Sequence, residues 1–127
     1  MNYLGKFARV STVAAFALAA LGVSSAQASA VTWGKCPNEI EAPYPCTAAT
    51  ALLNARNQAG PNGIILYQYQ AGQSVMVQCW VTGSNVDGDT VWYWTHPEGG
   101  PLPWAWVTGF LLDTGTDPRP GVPHCAT

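Results

Sequence analysis

Hydrophobic and polar positions change their rhythm twice along this chain. Residues 13–23 are an unbroken apolar run, from Val13 to Val23. Residues 31–50 show no period, and Pro37, Pro43 and Pro45 break any regular helix or central strand there. Only Thr47 to Leu53 reads as a single helical turn, with Thr47 as its N-cap. From residue 64 the pattern is that of strands. Ile64 to Tyr69 is apolar, β-branched and aromatic. Ala71-Gly72-Gln73 is a turn. Val75, Val77, Cys79 and Val81 then alternate with polar or bulky neighbours, which puts these four on a core face and Trp80 on the opposite one. Gly83 to Asp89 has loop composition throughout. Thr90 to Thr95 is the next strand, His96 to Pro103 a second loop, and Trp104 to Val107 a short strand. Phe110 to Leu112 follows as a further extended piece after a tight turn, and residues 113–124 are extended and proline-rich. Four or five short strands with turn residues between them predict an all-β fold, a small barrel or sandwich.

The first apolar run has a different meaning. Lys6 and Arg9 precede it, and the small residues Ser24 to Ala30 follow it. Basic start, apolar centre and small-residue exit make a secretory signal peptide. Two registers suit the peptidase, ending at Ala28 or Ala30. The run is about half the roughly 20 residues that span a bilayer, so a stable membrane anchor is not expected. The expected organisation is a removed signal over 1–30, an N-terminal extension over 31–51 and one domain over 52–127. Export also changes the charge. With Lys6 and Arg9 gone, three basic side chains face seven acidic ones, and the formal charge moves from −2 to −4. That balance argues against nucleic acid and anionic membranes as partners.

An exported domain of 97 residues buries a modest core, and staples are expected. Cys36, Cys46, Cys79 and Cys125 supply them as two disulfides. Four cysteines allow three pairings, and the sequence alone does not choose. Cys36–Cys46 with Cys79–Cys125 is preferred: the first closes a short proline-flanked stretch, and the second ties down a tail that otherwise frays. Zinc needs CxxC-type spacing, which is absent.

The strand order, with several local signatures, resembles the bacterial SH3-like domains over residues 52–125. Leu53 to Asn57 resembles the opening "N-V-R" element, with Ala55 in the valine place. Ala71 to Val77 resembles the glycine turn and second strand, Trp92 the middle-strand tryptophan, and Trp106-Val107 with Leu112 to Gly115 the last strand and exit. Exported actinobacterial members carry a cysteine after the second strand and another at the end after a proline, as do Cys79 and Pro123-His124-Cys125 here. The resemblance thus favours the Cys79–Cys125 pairing. It departs from the family at Asn57 to Pro61, where a Ser-Gly-Pro turn is usual, and at Ala105-Trp106, where a glycine precedes the aromatic. It implies a small SH3-like barrel of about five strands that binds cell-wall material.

Catalytic chemistry finds little support. A cysteine–histidine nucleophile needs a free thiol beside His96 or His124. The acids fall in predicted loops, where they are ordinarily solvated, and Asp87-Gly88-Asp89 has too few ligands for a calcium loop. The chain is read as no enzyme, with no cofactor and no metal. Its unusual feature is six tryptophans, more than so small a core hides. Strand alternation sets Trp92 and Trp94 on one face, Tyr93 on the other, and Trp104 with Trp106 on a shared face. Trp80, Trp94, Trp104 and Tyr93 are the candidate ligand-binding residues. Aromatic surface among neutral polar groups suits stacking on sugars or gripping wall peptides. The expected function is therefore a secreted, monomeric, extracellular or wall-associated module that binds peptidoglycan peptide or glycan. The alternative is a secreted inhibitor or effector that binds another protein.

Overall fold

A computed structural model describes residues 33–38 and 43–126; the expected signal peptide and its expected cleavage sites lie outside them. Six strands form one antiparallel sheet: β1 (Cys46–Ala48), β2 (Leu53–Arg56), β3 (Ile65–Tyr69), β4 (Ser74–Val86), β5 (Asp89–Pro97) and β6 (Ala105–Thr108). Their order across the sheet is β1-β4-β5-β6-β2-β3. The sheet curls into an all-β half-barrel.

Alternation places one residue in two on the inside, as the pleat requires. Leu53 and Ala55, Tyr69, Val75 and Val77, Val91 and Tyr93, Ala105 and Val107 form the core with Ala49, Leu112 and Val122. The two hydroxyls at the centre of the core are paired. The Tyr69 hydroxyl lies 3.0 Å from Thr95 Oγ1, and that hydroxyl also reaches the Ala105 carbonyl at 3.1 Å. Burial drives the Tyr69 phenol well above its ordinary range.

Four expectations are corrected by this arrangement. Thr47 caps no helix. It lies in β1, is buried, and donates its hydroxyl to the Asp113 carbonyl at 2.5 Å. Pairing with β4 by Cys46↔Met76 and Ala48↔Ser74 makes β1 part of the sheet. Residues 83–86 are strand, not loop. The hairpin is closed by Asp87 and Gly88, both at positive φ (53° and 96°), which suits the primed turns that match strand twist. Phe110 lies in a one-turn 3-10 helix, Gly109–Leu111, which Thr108 caps by accepting from the Phe110 N–H.

The fourth correction decides the site. Between Val77 and Cys79 the β4–β5 register shifts: Val77 opposes Thr95, and Cys79 opposes Trp94. Gln78 is the extra residue of a β-bulge. A one-residue insertion reverses every side chain beyond it. Val75 and Val77 are fully buried as expected. Past the bulge, Trp80 turns inward and packs on the core. Cys79 turns outward beside Trp94.

Both preferred disulfides are present. Cys36–Cys46 and Cys79–Cys125 each bring their Cα atoms to 4.9 Å. The second holds the C-terminal segment against β4, where Trp80 N–H donates to Pro123 O (3.1 Å) and Cys125 N–H to Trp80 O (2.9 Å). Disulfides form and persist in oxidising surroundings, so the fold belongs to an oxidising, extracellular-type environment. Among the described residues no helix is long and apolar enough to cross a membrane.

Candidate functional site

The outer face of β4, β5 and β6 carries three rows of side chains, set by the strand register. Val81, Trp92 and Thr108 form the first; Cys79, Trp94 and Trp106 the second, with Arg56 of β2 beyond Trp106. Met76 and His96 form the third, with Trp104 beside them.

Each row has a different fate. In the first, Trp92 is buried, and its indole N–H donates to the Ser84 carbonyl at 2.8 Å. Room for that ring exists because residue 83 is glycine. A Cβ there would lie 2.6 Å from Trp92 Cδ1 and 2.3 Å from Ala59 O. The third row is roofed by the N-terminal segment. Met76 is buried with Cys36 and Cys46, and Tyr44 meets Trp104 edge-on at 5.7 Å. His96 lies 5.2 Å from Trp104.

The middle row stays open. Trp94 and Trp106 are half-buried, their ring centroids 4.8 Å apart at 49°. Trp104 continues the aromatic surface, 6.3 Å from Trp94 and within 20° of parallel. Beside them is a solvent-open groove of about 320 Å³, lined by Gln78, the Cys79–Cys125 disulfide, Trp94, Trp106 and Ala126. None of these side chains carries a charge. The Arg56 guanidinium is held at the margin, where Nη1 donates to the Pro61 and Gly63 carbonyls, both at 2.9 Å.

Of the four expected ligand-binding residues, Trp94 lines the groove and Trp104 flanks it. The other two lie elsewhere. Tyr93 is fully buried and faces the core, because it alternates with Trp92 and Trp94. Trp80 is turned to the core side by the bulge, its ring edge-on to His124 at 4.6 Å. Trp106 and Gln78 line the groove with Trp94. Trp106 was legible as the residue sharing a face with Trp104. Gln78 had no signal in the sequence, since a bulge depends on the pairing of two strands.

A second polar cluster fastens the C-terminal segment. Asp117 Oδ1 accepts from the Tyr93 and Thr114 hydroxyls, both at 2.7 Å. The Arg119 N–H donates to the Tyr93 hydroxyl (2.9 Å) and its Nη1 to the Thr114 carbonyl (2.8 Å). Its guanidinium also lies 4.6 Å over the Trp33 ring, a favourable cation–π contact. Asp89 joins this cluster. Burial, and then its hydrogen bond with Asp117, push its carboxyl up to about 6. These two acids are thus not merely solvated loop residues. They hold the segment to the start of β5.

No group of histidine, cysteine and acid residues suited to a metal ion occurs among the described residues. Both disulfides leave no free thiol among the cysteines. What the outer face offers is an open aromatic groove lined by neutral side chains, with one carboxamide at its edge and the Arg56 guanidinium at its margin. No protein-family model matches this chain, and no match was found among curated proteins.

Proposed function

We propose that this protein is an exported, non-catalytic binding module of the bacterial SH3-like kind, which holds cell-wall peptide or glycan on its outer face. One observation carries the reading: Trp94 and Trp106 lie 4.8 Å apart on a solvent-open groove whose described side chains carry no charge. Tryptophan held half-exposed on a rigid sheet is a binding surface in need of a partner. Neutral walls favour neutral polymers over anions or cations. The signal-like first thirty residues and the two disulfides support a place outside the cell.

Co-sedimentation with purified peptidoglycan tests it. Retention of the wild type, and loss of retention with Trp94→Ala or Trp106→Ala, supports the proposal. Equal retention of all three sinks the assignment to this groove, and no retention sinks the wall ligand.

A specific feature favours the second reading, a secreted inhibitor or effector of another protein. β3 is an edge strand, and Ile64, Ile65 and Leu66 are exposed there at 66, 47 and 40%. An unprotected apolar edge is a template for strand addition. Recovery of a soluble protein partner that is lost with Leu66→Lys would select this reading.

A further inference from the structure

The bulge in β4 gives the groove the one carboxamide among its described lining residues. Two β4 residues, Gln78 and Cys79, occupy the step between the Val77↔Thr95 and Cys79↔Trp94 pairs. Bulges re-aim side chains, and this one sets Gln78 at the groove beside Trp94, Trp106 and the Cys79–Cys125 disulfide. No described residue is hydrogen-bonded to its carboxamide.

A carboxamide carries an acceptor and two donors side by side. Another amide complements it through one hydrogen bond, its carbonyl accepting from the carboxamide N–H or its N–H donating to the carboxamide oxygen. The neighbouring indole rings ask for a flat apolar face. One chemical group combines the two: a pyranose ring bearing an acetamido substituent. Building on the proposed wall-binding role, we infer that the groove is a subsite for an N-acetylated amino sugar. Its ring lies on Trp94 and Trp106, and its acetamido group is read by Gln78.

A peptide fits this place less well. A groove of about 320 Å³ is at the small end of the roughly 300–1,000 Å³ usual for ligand sites. An extended peptide laid across it would present several backbone amides to a surface with one carboxamide. Each buried and unpaired amide is costly. A sugar turns its hydroxyls to the solvent rim and needs a partner for the acetamido group alone. The lining carries no charge, which also matches a neutral sugar.

The test is calorimetric titration of the full, disulfide-bonded chain with chitotriose, cellotriose and triglycine. Chitotriose and cellotriose share a backbone and differ in acetamido against hydroxyl. The expected result is chitotriose binding about tenfold tighter than cellotriose, the loss of one good hydrogen bond. Gln78→Leu should abolish that preference by weakening chitotriose alone, leaving cellotriose and the thermal midpoint unchanged. Equal affinity of wild type for the two trisaccharides overturns the inference, whether or not the variant folds. So does preference for triglycine, or equal weakening of both sugars by Gln78→Leu. Retention by peptidoglycan without a chitotriose preference removes this inference and leaves the wall-binding role standing. Chitotriose preference without wall retention does the reverse.

Discussion

Trp94 and Trp106 are directly opposed across β5 and β6, both half-buried, with ring centroids 4.8 Å apart on the outer face of the sheet. Neither ring is needed to fill the core, which is built from the alternate residues Tyr93, Thr95, Ala105 and Val107. The two tryptophans should therefore separate binding from stability. Trp94→Ala or Trp106→Ala should weaken retention on purified cell wall roughly 30-fold, the effect of removing a tryptophan anchor worth about 2 kcal/mol. Trp80→Ala should do the opposite. It should lower the unfolding midpoint in urea, because Trp80 packs on the core, while leaving retention by the folded fraction intact.

Gly83 should tolerate no side chain. A Cβ there would meet Ala59 O at 2.3 Å and Trp92 Cδ1 at 2.6 Å. One obstacle is backbone, and the other is a ring pinned by its hydrogen bond to Ser84 O. Gly83→Ala is expected to cost about 1–3 kcal/mol of stability, as overpacking does. A lowered midpoint with a shifted tryptophan emission would report the displacement of Trp92.

The two disulfides close loops of different length, with sequence separations of 10 and 46. The chain-entropy account gives about 3 kcal/mol for the shorter and about 4 for the longer. The paired change Cys79→Ser with Cys125→Ser should therefore lower stability more than Cys36→Ser with Cys46→Ser. The latter should also loosen the cover of Tyr44 over Trp104. Denaturant titration ranks the two, and tryptophan quenching by acrylamide should rise in the second.

Asp89 makes folding depend on pH in an uncommon direction. Its carboxyl is pushed up to about 6, first by burial and then by its bond with Asp117, from an ordinary value near 4. A carboxyl with a raised folded value favours the folded state while protonated. Its contribution is complete below about pH 4 and is lost as pH rises through about 6. Asp89→Asn keeps an acceptor for the Val91 N–H and donates to Asp117 at every pH. Urea midpoints at pH 4 and pH 7 should therefore lie closer together in this variant than in wild type. An unchanged difference would show that the pair does not share a proton.

Strand identity was written into the chain by local chemistry. Alternation of Val75 and Val77, aromatic and β-branched runs at Ile64 to Tyr69 and Thr90 to Thr95, and turns at Ala71-Gly72 announce an all-β barrel before any contact is known. Four cysteines in an exported-type chain announce the two staples. These are properties of single segments, and a single segment displays them.

Faces and partners were another matter. Whether Trp80 or Cys79 points inward depends on the bulge at Gln78, and a bulge exists only between two paired strands. The same holds for 83–86, which read as loop until Val86 pairs with Asp89 across the Asp87-Gly88 turn, with a second register shift between Thr82 and Val86. Asp89 and Asp117 are 28 positions apart, and only the docking of the C-terminal segment unites them at Tyr93. Local sequence determined which stretches extend and where they turn. Tertiary pairing decided which aromatic rings stay open to a ligand, because register, unlike alternation, is a relation between strands.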